Sequence, residues 1–363
     1  MKKIGILTFS TANNYGAMLQ AYALKYTLNR LGHTTHIINF YYPKKLRMSQ
    51  FFYNYKPTLL WFVKRACNFL YRPILWYYAN HCFVPFRKRY LEDTPRLYHK
   101  DLPQLCAGYD LFITGSDQVF NVHITELDRD FFLAFSKNLT KNASYAASFG
   151  LELNKFSLKE QDFIRKNLPH LGHISVREKQ GQDVVQALAP TQQVQVHLDP
   201  TFLFTKNDWQ EIAFTPRTSK KYALLYLMRP DKAFARFAKQ TARQKGWELI
   251  IISSQMDVNR VPPRFHAIPT VEEWVGLFLN AQYVFTTSFH GLAFAINFNK
   301  PFLTGFSANS ARLNNLLELT GLQHRIFDMK NPQLYEKEDW AAVNNKLALE
   351  RQKAFDYLKM ITD

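Results

Sequence analysis

Strand-like apolar runs alternate with helix-like segments along most of this 363-residue chain. The opening run K-I-G-I-L-T-F predicts a buried strand. The segment A-M-L-Q-A-Y-A-L-K-Y-T-L-N-R-L has apolar residues at helical spacing and ends before Gly32, and T-T-H-I-I-N-F predicts the next strand. A strand, a helix and a second strand in this order imply a parallel sheet with right-handed crossovers. We therefore expect an α/β fold.

The same alternation returns after residue 100 and continues through the second half of the chain. Further strands are predicted at Y-D-L-F-I-T-G, N-A-S-Y-A-A-S-F-G, G-H-I-S-V-R, V-Q-V-H-L, Y-A-L-L-Y-L, E-L-I-I-I-S and Q-Y-V-F-T-T. The length of the chain suggests two domains. We predict two Rossmann-like units with parallel sheets, residues 1–170 and 171–363, with the last helix packing back on the first unit.

Residues 41–100 differ in composition from the rest. They carry twelve Lys or Arg residues but only two acidic residues, and fourteen aromatic residues lie between 51 and 90. No uncharged window reaches the roughly 20 residues that span a bilayer. Basic residues mixed with Trp, Tyr and Phe are typical of an amphipathic helix in the lipid interface. We predict a basic aromatic helical insertion at about 45–100 that contacts an anionic membrane surface. The alternative is an insertion whose aromatic residues pack on the protein itself.

The formal charge of +17 and the pI of 9.6 predict anionic partners, such as nucleic acid, lipid headgroups or phosphorylated small molecules. No nucleic-acid-binding module is recognisable, so no nucleic acid partner is expected. Cys67, Cys82 and Cys106 match no zinc or C-x-x-C spacing and indicate a reducing compartment. The apolar run at the N-terminus is too short for a signal peptide, so we expect a cytoplasmic protein. No dinucleotide or P-loop motif is present, and no cofactor or metal is expected.

Five short polar stretches lie where a parallel sheet places a ligand site, in loops after strands. They are N-N-Y-G (13–16), G-S-D-Q (115–118), S-V-R-E (175–178), L-D-P-T (198–201) and S-F-H-G (288–291). Such loops converge at the carboxyl ends of the strands, where ligands bind. Each also has a structural explanation: Gly16 and Gly115 as turn formers, Asp117 as a cap, Asp199 as the start of a turn, and His290 as a packed core residue.

Together these stretches resemble the polysaccharide pyruvyl transferase family. The segments N-Y-G-A-M-L-Q-A-Y-A-L, G-S-D-Q-V-F-N, S-Y-A-A-S-F-G, I-S-V-R-E, L-D-P-T and S-F-H-G-L-A-F-A-I-N-F-N-K-P-F occur in the family's order, within residues 4 to about 322. Phe120 stands where a tryptophan is usual, and we expect it to affect packing or the acceptor side. The resemblance implies two facing Rossmann-like domains, as in GT-B glycosyltransferases, with the acceptor on the first domain and phosphoenolpyruvate on the second.

The resemblance also implies the reaction and its residues. Pyruvate would pass from phosphoenolpyruvate to a sugar of a cell-surface polysaccharide, or of its lipid-linked precursor, as a cyclic ketal. Relatives hold phosphoenolpyruvate with an arginine and a histidine that correspond to Arg177 and His290, and a further basic role passes to Arg312. Asp117 joins His290 as a catalytic candidate. The other candidates for substrate binding are Asn14, Tyr15, Gly16, Ser116, Gln118 and Ser288.

These residue types suit that chemistry. Phosphoenolpyruvate is a compact anion, and the arginine fork gives paired charge-assisted hydrogen bonds to phosphate or carboxylate. A histidine can support the phosphate or move a proton near neutral pH, and Asp117 can orient or deprotonate an acceptor hydroxyl. Two other functions stay open. One is a GT-B glycosyltransferase that uses a nucleotide sugar. The other is a noncatalytic nucleic-acid or membrane adaptor, whose binding would depend steeply on salt and ignore the cleft.

Overall fold

A computed structural model describes residues 1–41, 77, 80–215, 220–228, 231–253, 269–305 and 311–363 of the chain. Its strands are β1 (Lys3–Leu7), β2 (Thr34–Ile37), β3 (Leu111–Thr114), β4 (Asn142–Ser144), β5 (Ile174–Val176), β6 (Val194–Val196), β7 (Tyr222–Leu227), β8 (Glu248–Ser253), β9 (Tyr283–Thr286) and β10 (Phe302–Thr304). The strands predicted from apolar runs are all present, with bounds that are shorter by a few residues in most cases.

The α-helices of the described residues lie between these strands and after the last of them. They are α1 (Tyr15–Arg30), α2 (Val84–Tyr90), α3 (Val122–Thr125), α4 (Leu158–Asn167), α5 (Lys179–Leu188), α6 (Lys206–Gln210), α7 (Lys232–Gln244), α8 (Val271–Asn280), α9 (Phe289–Asn297), α10 (Ala311–Thr320) and α11 (Trp340–Thr362). Several begin at the polar residues that cap helices. Ser157, Thr205 and Thr270 each form a capping box with the acidic residue three positions later.

The strands form parallel sheets. One sheet has the order β2-β1-β3-β4, a second has the order β10-β9-β7-β8, and β5 pairs with β6. Bridges from Ala143 to His173 and from Ala147 to Val176 join β4 to β5, so β5 and β6 continue the first sheet. The second sheet begins with β7. The chain therefore passes from the first sheet to the second between residues 196 and 222. The predicted division near residue 170 lies earlier, before β5. The domain bounds themselves stay a prediction.

Helix α1 lies where the two sheets come together. Its sequence is apolar on nearly all sides, and all but three of its sixteen residues are buried. The Tyr15 ring stacks on Trp274 of α8 at 5.6 Å between centroids, and its hydroxyl donates to the carbonyl of Pro269. On the other side, Tyr22 packs against Phe204 and Trp209. This packing fixes the position of the first turn of α1 relative to the second sheet.

The last helix reaches the first sheet. The hydroxyl of Tyr357 donates to the carbonyl of Ser144 in β4, and its ring lies 4.7 Å from that of His197. None of the helices within the described residues combines the length and the apolar composition that a membrane span requires. The insertion predicted at about 45–100 falls mostly on residues 42–76, 78 and 79, which lie outside the described residues. Its described part contains α2, while the rest of its structure and its contact with a membrane stay predictions.

Candidate active site

The polar loops named in the sequence analysis meet at the carboxyl edge of the first sheet. The loop after β3 pairs with the loop after β4, since Ser148 N donates to the Asp117 carbonyl at 2.9 Å. The loop after β4 pairs in turn with the loop after β5, since Arg177 N donates to the Ala147 carbonyl at 3.1 Å. The residues after β6 continue the edge and place Asp199 next to them. Adjacent parallel strands thus bring Asp117, Arg177 and Asp199 together.

Asp199 is buried at the centre of this group. Its Oδ2 accepts from Arg177 Nη1 at 2.8 Å and lies 3.1 Å from the hydroxyl of Ser116. Its Oδ1 accepts from the backbone N–H and the hydroxyl of Thr201, at 3.0 and 2.9 Å. Asp199 does begin a turn, as one interpretation of the sequence held, and it also forms the buried ion pair with Arg177.

His290 reaches this group from the second sheet. It is the second residue of α9, which follows β9 and is capped by Ser288. Its Nε2 lies 3.6 Å from Asp199 Oδ2, and the neighbouring Phe289 ring lies under the guanidinium of Arg177 at 4.5 Å. Gly16, in the first turn of α1, lies against the imidazole so closely that a Cβ at this position would collide with the ring. Thus the first turns of α1 and α9 meet at the site.

Arg312 completes the basic residues of the site. It lies at the start of α10, and one turn later Asn315 donates to Gln180 Oε1 of α5 at 2.6 Å, which ties α10 to the Arg177 loop. Burial lowers the pKa of Arg312, and the nearby charge of Arg177 lowers it further, while Glu178, Asp117 and Asp199 act in the opposite direction. The basic role assigned to Arg312 is therefore compatible with its position.

Two more carboxylates face Arg177. Glu178 Oε2 lies 3.7 Å from Arg177 Nε, and its Oε1 accepts from the hydroxyl of Ser148 at 2.7 Å. Asp117 Oδ1 lies 3.9 Å from Arg177 Nη2 and accepts from Gln118 N at 2.8 Å. Asp117 has a φ of 75°, a left-handed conformation that is uncommon outside glycine and is concentrated at functional sites. Its side chain is 16% exposed, against 2% for Arg177, so it faces the open side of the group.

The charges of this group set its chemistry. Burial alone would raise the pKa of Asp199, but the facing His290 and Arg177 and the N–H of Thr201 hold that pKa well below its usual range. Burial alone would lower the pKa of Arg177, and the three surrounding carboxylates raise it instead. Among the described residues, two arginines and one histidine face three carboxylates. The arginines are therefore not a plain cationic clamp, because their charges are already balanced.

Several polar atoms of the site nevertheless have no hydrogen-bond partner among the described residues. They are buried, and four of them are nitrogen atoms: Arg177 Nε, Arg177 Nη2, Arg312 Nε and His290 Nε2. Each buried polar group without a partner costs free energy, so such a group calls for an explanation. Guanidinium nitrogens can only donate. This part of the site is therefore suited to an acceptor-rich, anionic ligand.

Other predicted site residues have local structural roles. Asn14 and Ser288 cap α1 and α9 by accepting from Ala17 N and Gly291 N. Ser116 lies 2.8 Å from the Ala146 carbonyl as well as near Asp199. Gln118 Oε1 accepts from Asn121 Nδ2, away from Arg177. These bonds fix the loops that carry the charged residues.

Tyr15 and Phe120 lie in the core. Tyr15 is 1% exposed, so the structure places this predicted substrate-binding residue among the rings of α8 rather than in the site. Phe120 is also buried and stacks on Phe132 at 4.6 Å. Phe120 therefore packs in the core, and the effect of its departure from the usual tryptophan stays a prediction.

Asp199 and Glu178 were missed as site residues by sequence reasoning. Both belong to stretches that were singled out, L-D-P-T and S-V-R-E. The signal that points to them is the need of a buried arginine for carboxylate partners. Which acidic residues supply that need depends on the order of the strands, which the sequence pattern does not specify.

A second cluster lies outside this site. His99 Nδ1 is 2.6 Å from Asp130 Oδ2, and His99 Nε2 is 3.7 Å from Asp128 Oδ2. The three side chains bring ligand-type atoms within 4.8 Å of one another, which no spacing in the sequence foretold. Burial raises the pKa of Asp128 to about 6. An imidazole that is hydrogen-bonded to Asp130 and lies near the carboxylate of Asp128 accounts for this geometry.

Comparison with known sequences finds a matching family. The sequence model described as "Polysaccharide pyruvyl transferase" matches residues 14–309. This match includes four of the five polar stretches and residues 14–16 of the first one, and it ends just before Arg312. No curated protein sequence matches the chain.

Solved structures with a similar fold include nucleotide-sugar enzymes. HepE from Anabaena, in complex with UDP and glucose, has a TM-score of 0.53 at 9% identity, over 100% of this chain and 98% of that one. UDP-GlcNAc 2-epimerase from Methanocaldococcus jannaschii has a TM-score of 0.49 at 12% identity, over 99% of each chain. The sequence identities are low, so the likeness to these structures shows the fold alone. This conclusion rests on HepE, whose TM-score exceeds 0.5. The predicted α/β fold with parallel sheets and a GT-B-like arrangement is confirmed.

Proposed function

Because this chain belongs to the polysaccharide pyruvyl transferase family, we propose that it transfers pyruvate from phosphoenolpyruvate to a saccharide acceptor as a cyclic ketal. The observation that supports this proposal most is the set of buried, unpartnered nitrogen atoms on Arg177, Arg312 and His290. Phosphoenolpyruvate carries a phosphate and a carboxylate, so it has acceptors for all of them. Its binding would remove the cost of leaving these groups without partners.

The two helix ends add to this preference for an anion. The first turns of α1 and α9 meet where Gly16 contacts His290, and a helix N-terminus favours negative charge. Because three carboxylates balance the arginines, the helix ends and a proton on His290 supply the remaining positive potential. The phosphate is expected next to Arg312 and the helix ends.

The reaction balances with the groups at hand. The methylene carbon of phosphoenolpyruvate takes up one proton and becomes a methyl group, and an oxocarbenium-like centre forms at C2. Two acceptor hydroxyl oxygens bond to C2, the bond from C2 to the phosphate oxygen breaks, and phosphate leaves. One hydroxyl proton replaces the proton given to the methylene carbon, and the other leaves with phosphate.

Two residues carry the proton transfers in this scheme. His290 moves the proton to the donor, and Asp117 orients an acceptor hydroxyl and accepts its proton. Asp117 suits the acceptor because it is the most exposed carboxylate of the group. Arg177 and Arg312 position the donor and stabilise its changing charge. The acceptor itself is a sugar of a surface polysaccharide or of its lipid-linked precursor.

A product assay tests this function. The protein is incubated with phosphoenolpyruvate and a panel of bacterial surface glycans and lipid-linked sugars. Phosphate release is measured, and the glycan is examined by NMR for the methyl signal of a pyruvate ketal. We expect both with the wild type and neither with His290→Gln. Transfer of a sugar from a nucleotide sugar, with no release of phosphate from phosphoenolpyruvate, would show a glycosyltransferase instead.

A further inference from the structure

The orientation of the Asp199 carboxylate is fixed by its own turn. Thr201 donates twice to Oδ1, once from its backbone and once from its hydroxyl. Oδ2 must therefore point in the opposite direction, towards Arg177 Nη1 at 2.8 Å and His290 Nε2 at 3.6 Å. One buried oxygen thus faces a residue from each sheet.

We propose that Asp199 is a positioning residue that holds the fork of Arg177 and keeps the proton of neutral His290 on Nε2, so that Nδ1 is the ring nitrogen that takes up and delivers the proton. This inference rests on the proposed pyruvyl transfer for its chemical meaning. The tautomer itself is a property of the ligand-free protein.

The tautomer follows from the groups that face the ring. A neutral imidazole has one N–H and one lone pair, and the partner of one nitrogen decides the state of the other. Nε2 faces a carboxylate that can only accept, because Asp199 is ionised and its other oxygen is occupied. Nε2 forms no hydrogen bond with the described residues, so the charge of Asp199 at 3.6 Å is the interaction that acts on it. A proton on Nδ1 instead would leave a lone pair facing a negative charge.

The other charged groups around the ring do not change this assignment. Arg177 is turned towards Asp199, Asp117 and Glu178, and Arg312 belongs to the same cluster. Among the described charged side chains, Asp199 lies within ion-pair distance of the His290 ring. Asp199 is thus the group that determines the proton position.

The opposite edge of the ring faces the first turn of α1. Nδ1 lies against Gly16, where any larger residue would collide with it. Next to it are the first N–H groups of α1, where negative charge is favoured. In the proposed step, the proton on Nδ1 of the imidazolium passes to the methylene carbon of phosphoenolpyruvate. The double-bond electrons form the new C–H bond, and a proton from an acceptor hydroxyl restores the imidazolium.

A spectroscopic experiment on the ligand-free protein tests the proposal. Imidazole ¹⁵N shifts are recorded on ¹⁵N-histidine-labelled wild type, Asp199→Asn and Asp208→Asn, and His290→Gln identifies the signals of His290. Asp208 is a matched control, because it also pairs with an arginine, Arg30 at 2.6 Å, but outside the site. We expect the Nε2–H tautomer in wild type and in Asp208→Asn. Asp199→Asn should shift to Nδ1–H, since an amide N–H would then face Nε2.

Thr201→Val keeps the test decisive if Asp199→Asn does not fold. It removes one of the two bonds to Oδ1 and is expected to shift the tautomer in the same direction, to a smaller extent. A wild type with the proton on Nδ1, or the same tautomer in every variant, would overturn the proposal.

Binding and turnover measured on the same proteins separate the proposed pyruvyl transfer from the proposed role of Asp199. If the wild type shows the Nε2–H tautomer but binds no phosphoenolpyruvate, the proposed function fails while the role of Asp199 stands. If it does transfer pyruvate, kcat/KM should fall by about 100-fold in Asp199→Asn, as for loss of a general acid, and the pH profile should change shape. An unchanged profile would contradict the positioning role.

Discussion

Gly16 of α1 lies directly against the imidazole of His290 in α9, with no space for a Cβ between them. The two residues follow strands of different sheets, β1 and β9, so this contact is where the two halves of the chain meet. Glycine is needed here for close approach and not for its backbone angles, because Gly16 lies inside a regular helix.

Gly16→Ala is therefore expected to impair function without unfolding the protein. Alanine favours a helix by about 1 kcal/mol over glycine, but its methyl group would displace His290. A displacement on the order of 1 Å can reduce turnover by about 100-fold. Gly108→Ala is the control, since the nearest atom to a Cβ there lies at 3.7 Å. Turnover and thermal stability are measured for both variants. Equal turnover in the two would show that the contact does not matter.

Arg312 is expected to strengthen the binding of phosphoenolpyruvate without stabilising the ligand-free protein. Its pKa is lowered mainly by burial, so the site disfavours its charge when no ligand is present. A buried charge costs free energy unless it is paired. The ion pairs of the site carboxylates among the described residues are with Arg177 and His290, so removing Arg312 leaves none of these carboxylates without its direct partner. Arg312→Met should thus keep or raise the free energy of unfolding, measured in urea, while it weakens phosphoenolpyruvate binding. Arg243→Met, at an exposed position of α7, should change neither. A large loss of stability in Arg312→Met would mean that the arginine is structural.

Phosphoenolpyruvate binding is expected to take up protons. Two arginines face three carboxylates, so a polyanion can enter the site only if positive charge is added, and His290 is the group that can accept it. Calorimetric titration at one pH in two buffers with different ionisation enthalpies measures this uptake. The observed enthalpy should differ between the buffers for wild type and not for His290→Gln. The same enthalpy in both buffers for the wild type would contradict the charge balance.

His197 is expected to make stability depend on acid pH. Burial, with a smaller effect of Lys353, lowers the pKa of His197 from 6.5 to about 4. At acid pH the unfolded chain therefore binds a proton at His197 more readily than the folded chain does. The contribution of neutral His197 to the free energy of unfolding is thus complete above pH 6.5 and is lost as the pH falls towards 4. The full loss is about 3 kcal/mol. Asp128, whose pKa is raised to about 6, acts in the opposite direction in every variant and cancels in the comparison.

Urea unfolding at pH 7 and pH 4.5 checks this expectation. His197→Asn keeps a partner for the hydroxyl of Ser175 but does not titrate. The difference in stability between the two pH values should be smaller in His197→Asn than in the wild type. His81→Asn, at an exposed position, should behave like the wild type. A wild-type profile in His197→Asn would show that other groups cause the dependence.

The fold was largely predictable because its signals are local. Strands such as Y-A-L-L-Y-L and helices such as A-F-A-R-F-A-K-Q-T-A-R-Q-K show their period within one element. The point where the chain changes sheet was not predictable in this way. It depends on β5 pairing with β4 through bridges such as Ala147 to Val176, between residues far apart in sequence.

The candidate site was predictable in its motifs but not in its charge. Arg177, His290 and Asp117 were named from stretches after strands, and the structure brings them together. The sequence assigns Arg177 to the anionic donor, whereas in the structure Arg177 is already paired with Asp199 and faces Glu178. Long-range pairing of strands places those carboxylates, and no pattern within one stretch encodes it.

Removing the Arg177 side chain would be a poor test of binding, because Arg177 is also the ion-pair partner of Asp199. Asp199 would stay buried without its cation, which typically costs about 3–5 kcal/mol. Arg177→Lys keeps the charge and loses the fork, so it separates ligand recognition from stability.

The most direct measurement is the calorimetric titration of phosphoenolpyruvate into the wild type, Arg177→Lys and His290→Gln, with Arg243→Met as control and with a nucleotide sugar as competing donor. We expect binding to the wild type and the control. Loss of charge-assisted hydrogen bonds, at about 1.5–3 kcal/mol each, should weaken it at least about tenfold in the other two. Equal affinity in all four proteins, or binding of the nucleotide sugar with none of phosphoenolpyruvate, would contradict the assignment of the donor site.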